Sequence, residues 1–526
     1  MDKKVWIALI LSMVVIFFYP YLIKWYYPEQ PAQVSIQEAS VDAGIPSAQQ
    51  GAVAVPGVSP KAAVAAPVAE ELTTVETPLY KAVFTNAGGA IKSLELKNYK
   101  RGQNDPVVVN VAQKVAAQNS FKSQFDVNGV IETPVFSSSR KSFNLTGADK
   151  AELVYTGTLS NGLAVEKKFV FSGDAYFIHT EAAALNRTAT AVSVRSDIVI
   201  NAPVSGADDT GYHQGPIVKT SKELTRQDED DRSLIGSSKL KWLGLEDKYF
   251  LAAVVPITEA HFSWVTEVPS VGSSRATLQF PVNLAPAGAS RVAFTTFLGP
   301  KEYDTLLGQK TGLEESIEFG WFDWMAKPFL VVLNFFNRYI GNYGIAIIVL
   351  TVIIKVLFYP LTKKSLHSMR DMQKMQPQMA ALKEKYKGDK EKMNKELMEL
   401  YKRHKINPVG GCLPMVLQIP VFIALYEVLY VAIELRHAPF FLWITDLSAK
   451  DPYYITPVLM GATMFIQQKM TPSAVDPSQQ KIMMLMPVIF TFMFLNFPAG
   501  LVIYWLVNNV LSIGQQYFVY KTPAKA

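Results

Sequence analysis

The sequence predicts an α-helical membrane protein with six transmembrane helices, five of them in one C-terminal core, plus a periplasmic all-β sandwich domain. Three observations predict it. The 526 residues are 49% hydrophobic and the mean hydropathy is +0.13, more apolar than a soluble chain of this size, so membrane spans come first. The apolar residues gather in the first two dozen positions and again beyond Gly341. Between them lies a long stretch of short alternating runs broken by turn residues, the pattern of antiparallel strands.

Residues 1–27 are expected to be a transmembrane signal anchor. Met1-Asp2-Lys3-Lys4 precedes an apolar run from Val5 to Ile23, and about 20 apolar residues suffice to cross ~30 Å of hydrocarbon. A cleavable signal peptide would be shorter and end at a small-residue site. This run ends instead in Tyr19-Pro20-Tyr21-Leu22-Ile23-Lys24-Trp25, and Tyr and Trp suit an interfacial anchor. Residues 28–72, rich in Ala, Val, Pro, Gln and Ser, read as a flexible periplasmic linker. Cys412 is the single cysteine, so no internal disulfide is available and an exported domain must rest on its own core.

Residues 73–310 are expected to form the sandwich. Leu79–Phe84 is followed by Asn86-Ala87-Gly88-Gly89 and then Ile91–Leu96; Leu153–Leu159 meets Val165–Phe171 across Ser160-Asn161-Gly162. Period-two alternation around such turns signals hairpins. Residues 311–340 are amphipathic, with Glu314, Glu315 and Glu318 ahead of Trp321, Phe322, Trp324 and the run Phe329–Phe336. That apolar part is too short to cross, so a helix lying in the interface is expected.

The core, 341–521, divides into spans at Tyr343–Leu361, Leu413–Ile433, Tyr453–Gln467 and a long apolar run, Ile482–Phe518, broken at Asn496-Phe497-Pro498-Ala499-Gly500 into two. Tyr453–Gln467 and Ile482–Asn496 hold about fifteen residues each, or ~22 Å of helix, so the bilayer is expected to thin beside them. From Lys363 to Lys405 there are thirteen Lys and Arg against six acids. By the positive-inside rule this segment, the N-terminus and the short tail 522–526 are cytoplasmic, and the β-domain is periplasmic. Within it, 364–408 is expected to be a helical hairpin with Met372, Met375, Met379 and Leu382 on one helix and Met393 and Leu397 on the other. Methionine faces accept varied apolar partners, but two helices packing on each other would use the same pattern.

Lys355 lies inside an apolar span, about seven residues or ~10 Å from its cytoplasmic end. A charge at the bilayer centre costs about 2.5–3.5 kcal/mol on insertion scales. Either Lys355 snorkels to the interface, or it faces a wet cavity; Thr351, one turn earlier, favours the cavity. Glu427 sits roughly 10 Å away in depth and is expected near periplasmic water rather than paired with Lys355. Gln418, Gln467, Gln468, Asn508, Asn509 and Ser512 also interrupt apolar runs. They read either as interhelical hydrogen-bond glue or as the lining of a hydrophilic groove.

Enzyme signals are absent from the sequence. It has no phosphate-binding Gly-x-x-x-x-Gly-Lys-Ser/Thr loop, Gly410-Gly411 is no dinucleotide fingerprint, and His179, His213, His261, His367, His404 and His437 lack metal-ligand spacing. No catalytic residue, cofactor, metal or nucleic-acid partner is expected. A channel or transporter with Lys355 in an ion path, and a membrane-anchored periplasmic sugar-modifying enzyme, are the competing readings. The first lacks internal repeats and the second leaves five spans unexplained.

Several stretches resemble the YidC/Oxa/Alb insertase family in its Gram-negative form. They are Gly341-Asn-Tyr-Gly, Tyr359-Pro-Leu-Thr-Lys, Asn407-Pro-Val-Gly-Gly-Cys-Leu-Pro, Gln418-Ile-Pro-Val-Phe-Ile-Ala-Leu-Tyr, Leu442-Trp-Ile-Thr-Asp-Leu, Asp451-Pro-Tyr-Tyr-Ile, Gln479-Gln-Lys-Ile-Met and Phe497-Pro-Ala-Gly-Leu-Val-Ile-Tyr-Trp. The resemblance implies a membrane protein insertase of the bacterial inner membrane with a five-helix core and a groove open to cytoplasm and lipid. It implies nascent membrane proteins, the phospholipid bilayer, the Sec translocon and the ribosome as partners. Lys355 stands where the family usually has Arg, which keeps the charge but loses the guanidinium fork. By position, Phe422, Met460, Met493, Thr351 and Trp505 match a slide for incoming helices, and Tyr504-Trp505 stands where the family often has Tyr-Tyr.

Overall fold

The chain was analysed as a computed structural model that describes residues 70–100, 106–109, 119–202, 212–228, 231–237, 239–257, 262–270, 273–386, 388–404, 413–471 and 477–521. The expected signal anchor, nearly all of the linker, the cytoplasmic tail, Gly410-Gly411 and Cys412 lie outside the described residues.

Both expected hairpins form. Tyr80–Thr85 pairs antiparallel with Ala90–Lys100, Tyr80 opposite Leu96, and Lys150–Thr158 pairs with Leu163–Ser172, Leu153 opposite Phe169. Gly88 and Gly89 turn the first hairpin at φ +70° and +55°, with backbone and side chains of neighbouring strands pressed against them. Glycine adopts such angles without the Cβ penalty. The strands build a nine-stranded, a six-stranded and a five-stranded sheet. Alternation points Leu163, Val165, Phe169 and Phe171 inward along one strand, where they meet Tyr80, Phe84, Trp242, Phe294 and Phe297 in a sealed core. The same alternation carries Lys167 inward. Its amine donates to the Phe121 carbonyl and lies 5.1 Å from the Phe169 ring centre. Burial pushes it down to about 7.

Nine helices follow among the described residues: α1 Tyr303–Gly308, α2 Asp323–Ile340, α3 Tyr343–Lys374, α4 Gln376–Lys385, α5 Lys390–Arg403, α6 Leu413–Val431, α7 Ile455–Met470, α8 Pro477–Phe494 and α9 Ala499–Lys521. Helix α2 is amphipathic: Ala326, Leu330 and Leu333 are buried while Trp324, Phe335 and Tyr339 are exposed. Gly341, at φ +72°, ends it, and the Asn342 side chain caps α3 by accepting from the Ile345 amide at 3.1 Å.

Helix α3 runs further than the expected span. It continues through Pro360 to Lys374 as one helix of 32 residues, about 48 Å at 1.5 Å per residue. The first arm of the expected hairpin is therefore split. Its opening turns extend the span, and the break comes at Met375, because Pro377 at the start of α4 has no amide to continue the ladder. Asp389 caps α5, accepting from the Lys392 amide at 3.0 Å.

Helix α3 is the one described helix that is both long and apolar enough to cross a bilayer; shorter apolar stretches occupy Gln418–Val431 and Met483–Phe494. In the bundle, α9 packs against α3 and α7, and α8 lies beside α7. The α7–α8 approach depends on Gly461, since a Cβ there would strike the Thr491 side chain.

Candidate functional site

Lys355 projects from α3 toward α9. Its Nζ donates to Ser512 Oγ at 2.7 Å, and Ser512 Oγ in turn donates to the Asn508 carbonyl, one turn back on α9, at 2.8 Å. Helical spacing explains the arrangement: Asn508 and Ser512 are four apart and share a face. The ammonium is thus held by a hydroxyl rather than a carboxylate. Glu427 is engaged elsewhere, accepting from the Tyr212 hydroxyl of the β-domain at 2.7 Å.

The remaining polar residues fall into two groups. Gln418 on α6 donates to the Tyr504 hydroxyl on α9, one turn of α9 before Asn508. Asn509 Nδ2 donates to Thr463 Oγ1 at 3.3 Å, and Gln516 Nε2 donates to Thr471 Oγ1 at 3.2 Å; these tie α9 to α7 as interhelical glue. Gln467 is half-buried near the end of α7, where its carbonyl accepts from Thr471. Thr351 is sealed in the packing and its hydroxyl closes on its own helix, donating to the Ile347 carbonyl at 2.7 Å. It shapes the wall beside Lys355 without offering a free polar group.

An aromatic cluster stands beside this polar chain. The ring of Phe422 on α6 lies 5.1 Å from that of Trp505 on α9, edge to face, and Trp505 lies 5.4 Å from Phe494 on α8. Phe490 stacks on Phe494 at 6.2 Å. Phe422, Met493 and Trp505 are half-open to the surroundings, whereas Met460 and Tyr504 are fully enclosed. Of the residues matched to the slide, Phe422, Met493 and Trp505 therefore present a surface, Met460 backs it together with the neighbouring Tyr504, and Thr351 is sealed in the packing. Phe490 and Phe494 join the cluster without having been singled out in the sequence. Their spacing of four on one apolar helix was the available signal.

On the hairpin formed by α4 and α5, Met375 and Met379 are buried, and the Tyr401 hydroxyl reaches Met379 Sδ at 3.7 Å to join the two helices. Met372, Leu382, Met393 and Leu397 are half-buried. Mutual packing accounts for the first two, and the other four keep apolar surface open.

The opposite end of the bundle is closed by residues 432–454. Phe440 packs onto Gly344, where any Cβ would strike its ring, and the Ala499 and Gly500 amides donate to Ala449 and Leu447 carbonyls at 2.7 and 3.0 Å. Asp451 accepts from Trp443 Nε1 at 3.1 Å, from the Thr456 amide at 2.8 Å and from its hydroxyl at 2.7 Å. Burial pushes this carboxyl up, but these donors outweigh it and hold it below the usual range. The β-domain rests on this closure. Lys248 Nζ sits 3.5 Å over the Tyr430 ring, Arg436 lies over Tyr249 at 5.2 Å, and Glu434 accepts from the Tyr303 amide at 2.9 Å. Burial first, then the nearby Glu302 and Asp304 carboxylates, raise Glu434 to about 7.

A β-sandwich seated on a helical bundle that is polar inside at one end and closed at the other defines a membrane-embedded protein with an external domain. The family described as YidC periplasmic domain matches residues 72–332, and that described as 60Kd inner membrane protein matches residues 335–526. The membrane protein insertase YidC of Syntrophus aciditrophicus is 44% identical, covering 99% of this chain and 100% of the relative. The membrane protein insertase YidC of Geobacter metallireducens is 43% identical, covering 100% and 99%. A solved structure described as an active YidC insertase with the first transmembrane domain resolved is 19% identical, covers 86% of this chain and 95% of that one, and has a TM-score of 0.38. The chain belongs to the YidC family of membrane protein insertases. It is an inner-membrane insertase with a periplasmic domain and not an enzyme; its clients are nascent membrane proteins and its medium is the lipid bilayer.

Proposed function

We propose that insertion proceeds through the polar chain Lys355–Ser512–Asn508 and the adjoining aromatic surface. A client's short polar end enters beside Lys355, whose ammonium attracts acidic residues in passing. Its apolar segment then moves along Phe422, Met493 and Trp505 into lipid, with Met460 and Tyr504 backing that surface. Each Leu, Ile, Val or Phe reaching the bilayer centre contributes about −0.3 to −0.6 kcal/mol, so a whole span inserts downhill without a nucleotide. The observation that carries this reading is a lysine inside a membrane helix held by a serine hydroxyl at 2.7 Å rather than by an acid. Among the described residues no carboxylate pairs with it, which leaves its charge to act on a client.

The topology that fits is six spans: the anchor at 1–27 and five in 341–521, taken from α3, α6, α7, α8 and α9. Both termini and the hairpin 364–408 are cytoplasmic, and 28–72, 73–310 and 311–340 lie on the periplasmic side. The thirteen basic residues between Lys363 and Lys405 support this orientation. Met372, Leu382, Met393 and Leu397 offer the open apolar surface on which an emerging client, a ribosome or the Sec translocon would dock.

Reconstitution into liposomes with a small single-span client tests the reading. The purified protein alone should raise the protease-protected, membrane-spanning fraction of the client. A purely conductive protein would pass ions and leave insertion at the level of empty liposomes.

A further inference from the structure

The loop closing the periplasmic end of the bundle carries a feature that its own packing does not explain. The Ile444 amide donates to the Phe441 carbonyl at 3.1 Å, and the Phe440 amide donates to the Ile444 carbonyl at 2.9 Å, which makes Phe441–Ile444 a tight turn. Its first central residue, Leu442, has φ +56°. Turns of this hand normally place Gly or Asn there, because an L side chain with a bulky Cβ substituent is strained. Leu442 is also 86% exposed and Phe441 53% exposed.

The feet of the turn are fixed. Phe440 is pressed onto Gly344, Asn342 Nδ2 donates to the Phe440 carbonyl at 3.1 Å, Ile444 is buried, and Trp443 is tethered to Asp451. The tip is therefore held out rigidly, at the junction of α2 and α3. A strained leucine that leaves most of its side chain exposed costs stability, and strained residues of this kind persist where an outside contact uses them.

Its surroundings identify that contact. The end of α2 beside it exposes Phe335, Tyr339 at 75% and Ile340, and Arg338, whose side chain is 74% exposed, stands among them. The turn joins the ends of α6 and α7, both apolar helices of the bundle. Aromatic and aliphatic side chains around a basic residue, level with the ends of membrane helices, match the acyl–headgroup boundary: apolar tips below, a guanidinium at the phosphates. We infer that Phe441 and Leu442 form a rigid wedge that inserts into the outer leaflet of the bilayer beside the end of α2. This inference stands apart from the insertion route, since it concerns a lipid contact on the closed side of the bundle.

Nitroxide labels test it in the full-length protein, on a Cys412→Ser background, in vesicles of phosphatidylethanolamine and phosphatidylglycerol. Labels are placed by Leu442→Cys and Phe441→Cys, with Ile235→Cys as an aqueous control, since Ile235 is a 75% exposed apolar residue of the β-domain. The wedge predicts that sites 441 and 442 relax with oxygen and not with a water-soluble nickel chelate, and that site 235 does the reverse. Nickel access at 441 and 442 equal to that at 235 would overturn the inference. Exclusion of both reagents would overturn it too, because it would mean a protein surface covers the turn.

Discussion

Lys355 Nζ and Ser512 Oγ are 2.7 Å apart, one on each of two packed helices, so a membrane lysine is partnered by a neutral hydroxyl and not by a carboxylate. The serine orients the ammonium without neutralising it. A hydrogen bond with one ionised partner contributes about 1.5–3 kcal/mol. Ser512→Ala should therefore lower thermal stability by about that much and slow insertion only partly, because the charge remains. Insertion rates for one client, compared with wild type at equal protein levels, check this; a complete loss would mean that Ser512 acts directly on clients.

The Phe422–Trp505 pair makes a separate prediction. Edge-to-face ring pairs add about 0.5–1.5 kcal/mol beyond area burial, and the two rings share one contact, so their losses should not add. Phe422→Ala and Trp505→Ala should each lower thermal stability in detergent, with the double variant falling short of the sum. Client crosslinking from position 422 should drop in Trp505→Ala. Strict additivity would place the two rings in separate surroundings.

Glu434 gives a pH prediction. Its folded-state value, about 7, lies above the ordinary 4.5, so the folded protein holds a proton that the unfolded chain releases. Stability associated with this group is then greatest below pH 4.5, declines between 4.5 and 7, and stays reduced above that, by on the order of 3 kcal/mol. Glu434→Gln should flatten that decline and be the more stable form at pH 8. Thermal unfolding of both proteins from pH 5 to 8 measures it; parallel curves would show that Glu434 is solvated and ordinary.

Much of this architecture was legible in the residues. Asn-Gly and Gly-Gly turns between alternating runs gave the hairpins, and Asn496–Gly500 marked the break between α8 and α9, because short-range chemistry decides both. The continuation of α3 to Lys374 was not legible: polarity changes at Lys363, but backbone hydrogen bonding does not, and only Pro377 stops it. Lys355 stood out because charge is costly in an apolar run, whereas its partner Ser512 lies 157 residues away and only tertiary packing brings it close. The same limit hid the seat of the β-domain on Glu427, Tyr430 and Glu434, which joins distant segments with no local pattern. Thr351 and Lys355 share a face as their spacing demanded, yet Thr351 spends its hydroxyl on its own backbone, a choice that spacing cannot reveal.

Orientation is tested by protease added to spheroplasts. The stretch Lys219–Arg232 in the β-domain should be cut and Lys390–Arg403 spared. The reverse pattern would invert the topology and place Lys355 on the wrong side of the bilayer for a cytoplasmic client.

The central claim is that the Lys355 charge, and not its bulk, receives the polar ends of clients. Insertion rates of matched clients with neutral and acidic exported ends, measured for wild type, Lys355→Met and Lys355→Arg, address it directly. Removing a charge from an apolar span relieves about 2.5–3.5 kcal/mol of insertion cost, so Lys355→Met should express well and stay folded while inserting poorly, acidic clients worst. Lys355→Arg should insert both nearly as wild type does. Full activity of Lys355→Met on both clients would contradict the account and leave Lys355 as a lysine that merely reaches for the interface.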